Sequence, residues 1–131
     1  KQIAYMNKIL LLSLFIFILV LIQSRGTSPK KIKAGSICSV DDGDGKFGIV
    51  KILVIEEEII HVKMYKNKYV ERPVVIDINA LSIGSDYDEA GFGVGHLPTD
   101  RKVFDNWKPI VIAFEEVTGD DLEGYEIWET A

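Results

Sequence analysis

Cysteine and histidine are scarce in this 131-residue chain, and basic residues are outnumbered by acids after position 33. These shortages exclude some kinds of site and argue against some kinds of partner. The single cysteine, Cys38, excludes an intrachain disulfide and a cysteine-based zinc site, and its apolar neighbours predict a small buried thiol. Residues 1–33 contain six Lys or Arg and no acid, so residues 34–131 carry a net charge of −11. That balance argues against nucleic-acid binding by the globular part, because contact with phosphates needs a cationic surface.

A long apolar run near the N-terminus predicts a helix. It extends from Ile9 to Ile22 with one polar position, about 21 Å of helix at roughly 1.5 Å per residue. This length suits a signal-peptide core or an interfacial segment, since a membrane span takes about 20 apolar residues. Ser24-Arg25-Gly26 resembles a cleavage site, whereas the cations that follow favour a retained anchor. We therefore expect residues 1–26 to form a hydrophobic leader, either a signal peptide or a membrane anchor, and residues 27–33 a linker.

The leader also bears on where the protein is located. With a leader of either kind, the protein is expected to be anchored in the membrane or exported, and any membrane contact would be made by the apolar run. Without a functional leader, a cytoplasmic location is the alternative.

From residue 34 the chain changes to short β-branched runs separated by turn residues, which is typical of antiparallel strands. Four strands are predicted, at residues 36–40, 46–56, 59–66 and 69–77. The second is apolar on both faces, so both faces should be covered. Pro73 places the fourth strand at an edge or a break. The expected fold is α+β and mostly β, with a small SH3-like bent antiparallel sheet or half-barrel.

Two short helices and one further strand are predicted in the second half of a single acidic domain spanning residues 34–131. Residues 82–95 are rich in glycine and acids and predict a long loop. Thr99 is the expected N-cap of the first helix. Residues 110–114 form the further strand, and Thr118 begins a capping box for the last helix.

The third predicted strand alternates, with Ile60 and Val62 pointing inward and His61 outward. The other histidine, His96, lies four residues before Asp100, so the two could form a general-base pair. No nucleophile in a recognisable setting accompanies them. An ordinary surface or capping histidine is therefore favoured, no catalytic residue is predicted, and a small hydrolase is the least favoured hypothesis.

Two glycine-containing stretches invite a ligand and fit the known ligand patterns poorly. A calcium-binding EF-hand loop that began at Asp42 would need acids at its fifth and twelfth positions, where this chain has Lys46 and Leu53. Residues 41–45 therefore predict a hairpin turn. Residues 91–95 follow an acidic loop rather than a strand, which argues against a nucleotide loop and favours a close backbone crossing or glycines beneath a packed aromatic ring. Neither a metal nor a cofactor is expected.

The acidic surface is the feature that bears most directly on binding. A net charge of −11 would accelerate docking to a cationic protein, although ordinary solubility charge explains it equally well. The candidate partner-binding residues are the acids of the first turn and of the later loop, namely Asp41, Asp42, Asp44, Asp86, Asp88 and Glu89.

Several short motifs occur in a familiar order: Ala34-Gly35-Ser36-Ile37, a glycine turn at residues 42–50, Gly93-Val94-Gly95-His96-Leu97-Pro98 and a final Tyr125-Glu126-Ile127-Trp128. Over residues 34–128 this order resembles the bacterial immunity protein 26 family of polymorphic toxin systems. The resemblance implies a β-rich, non-enzymatic, antitoxin-like protein whose acidic surface blocks a basic toxin domain, and it carries over no catalytic residue. The apolar leader departs from the usual cytoplasmic form, so a membrane-tethered or exported cell-envelope module is the alternative.

Overall fold

The computed structural model describes residues 2–24, 29–85 and 91–131. The predicted N-terminal helix is confirmed as α1 (Gln2–Ser24). Within the ranges given above, no helix combines the length and the apolarity that crossing a membrane requires. Three of the candidate partner-binding residues, Asp86, Asp88 and Glu89, lie outside the described residues.

In the part of the chain that the structure describes, five antiparallel strands form a single sheet. They are β1 (Ser36–Asp41), β2 (Phe47–Ile55), β3 (Ile59–Tyr69), β4 (Val94–Asp100) and β5 (Ile110–Phe114). Their order is β4-β3-β2-β1-β5, so a central three-stranded meander receives a later strand at each edge. With the helices α2 (Arg101–Asn106) and α3 (Glu123–Thr130), this architecture confirms an α+β, mostly β fold.

The turn between β1 and β2 forms as predicted because its own side chains close it. Asp42 accepts hydrogen bonds from the backbone N–H groups of Asp44 and Lys46, both at 3.2 Å. Gly43 and Gly45 adopt φ values of 84° and 85°, which other residues rarely tolerate. The prediction of a hairpin turn at this position is confirmed.

The predicted fourth strand at residues 69–77 is wrong. β3 does not end at residue 66 as predicted but continues to Tyr69. The chain is then irregular as far as a short 3₁₀ helix, Ile78–Ala80, and Pro73, which lacks an N–H group, cannot complete a ladder there. The true neighbour of β3 is β4, within a segment predicted to be loop and helix start. At Gly93 a side chain would collide with the Met64 carbonyl, which confirms the close backbone crossing.

One face of the sheet packs against α2. Phe104 of α2 is wholly buried among Val40, Val50 and Val62, and the buried thiol of Cys38 joins this cluster as predicted. Burial raises the pKa of Cys38 to about 12. The prediction of Thr99 as the N-cap is wrong, because Asp100 accepts the free N–H groups of the first helical turn and Thr99 still belongs to β4.

The opposite face is covered by residues 70–85, which form no strand, and by residues 115–131, which include α3. Arg72 ties the first of them to β1 by donating to the Ser39 carbonyl at 3.1 Å. Both faces of β2 are therefore covered, as predicted. The prediction that His61 points outward into solvent is wrong, since it lies on this second face and is wholly buried.

Candidate functional site

One of the two segments that cover the second face, residues 115–131, is the most acidic segment of its length in the chain. It contains no Lys or Arg and seven acids, namely Glu115, Glu116, Asp120, Asp121, Glu123, Glu126 and Glu129. Thr118 and Asp121 cap each other reciprocally, at 3.0 and 3.2 Å, so the predicted capping box forms. It closes the turn before α3 and does not cap the last helix as predicted, because α3 begins two residues later at Glu123 and has no side-chain cap among the described residues.

A buried lysine anchors this acidic segment to the sheet. Lys51, in the middle of β2, is 0% exposed. Its Nζ donates to Glu115 Oε1 at 2.7 Å, to Asp121 Oδ2 at 2.8 Å and to the Glu116 carbonyl at 3.0 Å. Lys63 on β3 donates to the other oxygen of Asp121 at 3.1 Å. Two strands thus hold residues 115–121 through charged hydrogen bonds.

The ionisation of this anchor follows from its contacts. Burial opposes the charge of Asp121, but hydrogen bonds from Lys51, from the Thr118 N–H group and from Lys63 outweigh it and hold the pKa of Asp121 well below its ordinary value. Burial alone would lower the pKa of Lys51, yet its hydrogen bonds to Asp121 and Glu115 raise it. Both partners therefore stay charged at neutral pH.

Beyond the anchor, the two histidines meet under α3. His61 Nδ1 lies 2.9 Å from His96 Nε2. The ring planes differ by 9° and the centroids are 5.1 Å apart, close to the largest separation that the nitrogen–nitrogen distance and the two ring radii allow. The rings therefore meet edge to edge in nearly one plane, as a linear N–H···N hydrogen bond requires.

A carboxylate and two aromatic rings complete what we term the histidine cluster: Glu56, His61, His96, Tyr125 and Trp128. Glu56 Oε1 lies 3.3 Å from His61 Nε2 and accepts the Tyr125 hydroxyl at 3.0 Å. The Tyr125 and Trp128 rings contact His61 edge-on, with centroid distances of 4.7 and 4.8 Å. Burial, followed by the charge of His61, lowers the pKa of His96. The hydrogen bond to Glu56 raises the pKa of Tyr125.

Gly124 allows α3 to reach this cluster. A Cβ at this position would lie 2.5 Å from the Cβ of His96, far inside contact distance. A helical glycine costs about 1 kcal/mol relative to alanine. The close crossing of α3 over β4 gives a reason for that cost.

A cavity of about 310 Å³ opens beside the cluster, between β4 and α3. Its lining includes His96 together with Lys63, Ile83, Asp120, Glu123 and Ile127. The polar lining is mixed in charge, and Lys63 is engaged with Asp121. Among the residues that the structure describes, no group of three His, Cys, Asp or Glu side chains is arranged to hold a metal ion.

The outer surface of α3 combines apolar and acidic side chains. Ile127 is 64% exposed and Trp128 40% exposed. Glu123, Glu126 and Glu129 on the same helix are exposed as well. An exposed aromatic and an exposed aliphatic residue within a strongly charged rim is an arrangement found at protein–protein interfaces.

The sequence-predicted acids Asp41, Asp42 and Asp44 lie elsewhere, at the turn between β1 and β2. Their carboxylates accept backbone hydrogen bonds of that turn, and Asp42 Oδ2 lies 3.4 Å from Lys68 Nζ. Burial raises the pKa of Asp42, but its hydrogen bonds with Asp44 and the ammonium group of Lys68 lower it overall. These acids have a structural role, and their part in binding a partner stays a prediction.

The suggested pairing of His96 with Asp100 does not form, since Asp100 caps α2. The partner of His96 is His61, which in turn lies beside Glu56, and neither contact was predicted from the sequence. The anchor at Lys51 was missed as well, although the sequence has a lysine inside an otherwise apolar strand and a run of acids after residue 114.

Comparison with protein-family models, with curated proteins and with solved structures found no match to this chain. The function is therefore argued from the residues themselves.

Proposed function

We propose that this chain is a non-enzymatic, immunity-like binding protein that sequesters a basic protein domain, most plainly a toxin domain, through the outer surface of α3. The observation that carries the proposal is the pairing of exposed Ile127 and Trp128 with a segment of seven acids and no base. The resemblance to the immunity protein 26 family supports the same function.

The charge that would attract a partner is what remains after internal pairing. Lys51 and Lys63 engage Glu115 and Asp121 within the fold. The other five acids of residues 115–131 are exposed, namely Glu116, Asp120, Glu123, Glu126 and Glu129. A one-signed field of this kind raises association rates about 10- to 1,000-fold and weakens as salt is added.

The apolar residues would supply the affinity that charge alone does not. Charged rims act mainly on the association rate, whereas buried aromatic and aliphatic anchors slow dissociation. The Trp128 ring contacts the rings of His61 and Tyr125 on its inner side, and these contacts fix the orientation of its exposed edge. A rigid anchor loses little side-chain entropy on binding.

The SH3-like bent half-barrel is proposed as the finer description of the scaffold. β-Bulges support it, because they bend strands. The β2–β3 ladder shifts register between Gly48 and Val50 and again between Ile52 and Val54.

Association kinetics with a defined probe test the proposed function. The probe is the protein encoded by the adjacent gene, because the family resemblance implies that an immunity protein is encoded beside its toxin. We expect the association rate constant to fall at least about tenfold between 20 and 500 mM salt. Ile127→Ser should speed dissociation, whereas Val103→Ser, which changes an exposed apolar residue of α2, should not. Equal effects of the two substitutions would contradict docking at α3.

A small hydrolase is a second candidate, favoured by the chain of contacts from Glu56 through His61 to His96. A carboxylate that orients one histidine against another would hold the outer ring, His96, in position to act as a general base. Hydrolysis of ester reporters that disappears in His96→Gln would support it, and rates equal to those of buffer alone would remove it. The cell-envelope alternative depends on the leader and stays a prediction.

A further inference from the structure

We propose that the histidine cluster is a proton-operated latch, which holds α3 on the sheet when the His61–His96 pair shares a hydrogen bond and releases α3 when both rings are protonated. The consequence for binding rests on the proposed function, because α3 carries the proposed docking surface. The latch itself is a property of the free protein.

The first step of the argument is a count of hydrogens. The two facing nitrogens are 2.9 Å apart and nearly coplanar, so only one of them carries a hydrogen. The uncharged pair satisfies this condition, and so does a pair with one extra proton, because that proton occupies an outer nitrogen. A second extra proton places hydrogens on both facing nitrogens. The hydrogen bond is then lost and the rings must separate.

The second step concerns the charges around the pair. Glu56 approaches His61 from the turn between β2 and β3, so one carboxylate faces the pair from that side. Around the cavity beside His96, Lys63 of β3 faces Asp120, Asp121 and Glu123, and its charge is engaged by Asp121. On α3, Tyr125 is hydrogen-bonded to Glu56, and Glu129 lies near Tyr125. The carboxylate of Glu56 thus compensates one positive charge on the histidine pair. A second positive charge is opposed by the burial of the pair and by repulsion from the first charge.

The pKa of His96 is lowered by burial and then by the charge of His61, and this direction agrees with release of α3 in acid. A histidine whose pKa is lower in the closed state than in the open state stabilises closure fully above its open-state pKa of about 6.5. That stabilisation is lost as the pH falls below about 6.5. Acid therefore favours release.

The third step is that α3 has little else to hold it. Among the residues that the structure describes, no side chain caps the start of α3, and none of residues 123–130 is fully buried. An isolated helix of eight residues is marginal in water. Its inner contacts are those of Gly124, Tyr125 and Trp128 with the histidine cluster.

The anchor at Lys51 confines the release to the last residues of the chain. Asp121 keeps its charge far into the acid range because its pKa is held well below the ordinary value. The tether of residues 115–121 therefore persists at the pH at which α3 is released. The chain would hinge near Leu122, between a segment that stays fixed and a helix that leaves.

Hydrogen exchange on the full chain tests the latch without any partner. We expect the protection factors of the α3 amides to fall by up to about 30-fold between pH 7.5 and pH 5, the full effect of one histidine with an open-state pKa of about 6.5. Amides of β2 and β3 should keep their protection. In His96→Gln the side-chain amide can still donate to His61 but cannot be protonated, so α3 should stay protected at pH 5.

Two outcomes would overturn the proposal: α3 protection that does not fall in the wild-type protein, or that falls equally in His96→Gln. Imidazole nitrogen resonances of the wild-type protein give a second readout that needs no variant. Loss of α3 protection should coincide with protonation of the second facing nitrogen, and loss at a different pH would contradict the latch. The hydrogen-exchange experiment contains no partner, so a result that overturns the latch does not contradict partner binding at neutral pH. A binding experiment that fails likewise does not contradict the latch.

Discussion

Replacing Lys51 by methionine tests the energetic core of the structure. Methionine has a similar length and fills the same space, but it removes all three hydrogen bonds of Nζ, to Glu115, Glu116 and Asp121. Removing one partner of a buried ion pair costs about 3–5 kcal/mol, because the other charge remains buried. Lys63 keeps its contact with Asp121 at 3.1 Å, so the expected cost lies at the lower end, about 3 kcal/mol.

Urea unfolding of the full-length chain measures this cost. With an m-value of about 1.5 kcal/mol/M, a loss of about 3 kcal/mol lowers the midpoint by about 2 M. Lys102→Met, which changes an exposed lysine of α2, is the matched control and should shift stability by less than about 0.5 kcal/mol. Adding Asp121→Asn to Lys51→Met should cost little more, because the uncompensated buried charge is gone. A cost below about 1 kcal/mol for Lys51→Met, or full additivity in the double variant, would refute the reasoning.

Three further predictions follow from single contacts. Gly124→Ala should destabilise the protein by about 1–3 kcal/mol in thermal unfolding, although alanine favours helix, because its Cβ would overlap His96; a stabilised variant would contradict the crossing. Cys38, with its pKa raised to about 12, should react with a thiol reagent at pH 8 only at the rate of unfolding, and rapid labelling of the native protein would show that the thiol is accessible. Asp121 has a lowered pKa, so its stabilisation is complete above about 3.8 and is lost as the pH falls below that value; the urea midpoint of Asp121→Asn should vary less across this range, and parallel profiles would contradict it.

The central hairpin was predictable because its determinants are local. Residues 41–45 contain the aspartates and glycines that close the turn, and the flanking β-branched runs are continuous in sequence. β5 was equally clear as an isolated apolar run. The N-terminal helix followed from the apolar run at residues 9–22, which has one polar position.

β4 was not predictable from local pattern. It contains Gly95 and Pro98, both poor strand formers, and it becomes a strand only by pairing with β3 over 30 positions earlier in the chain. As an edge strand it tolerates the missing N–H group of Pro98. Tertiary pairing here overrides propensity.

The histidine cluster was missed for a related reason. Its members come from a turn, two strands and a helix, and no fixed spacing links Glu56 and His61 to His96 and Tyr125. Strand alternation placed His61 on the correct face, opposite Val62. The error was to regard that face as solvent, since the covering segment lies more than 50 residues away in sequence.

Docking through the acidic surface of α3 is the central claim, and a matched charge reversal tests it most directly. Glu126→Lys/Glu129→Lys and Glu71→Lys/Asp105→Lys change the net charge equally, at exposed positions on α3 and away from it. The association rate constant with the protein encoded by the adjacent gene should fall at least about tenfold for the α3 pair, and by much less for the control pair. Equal reductions in the two variants, or none in either, would contradict the claim.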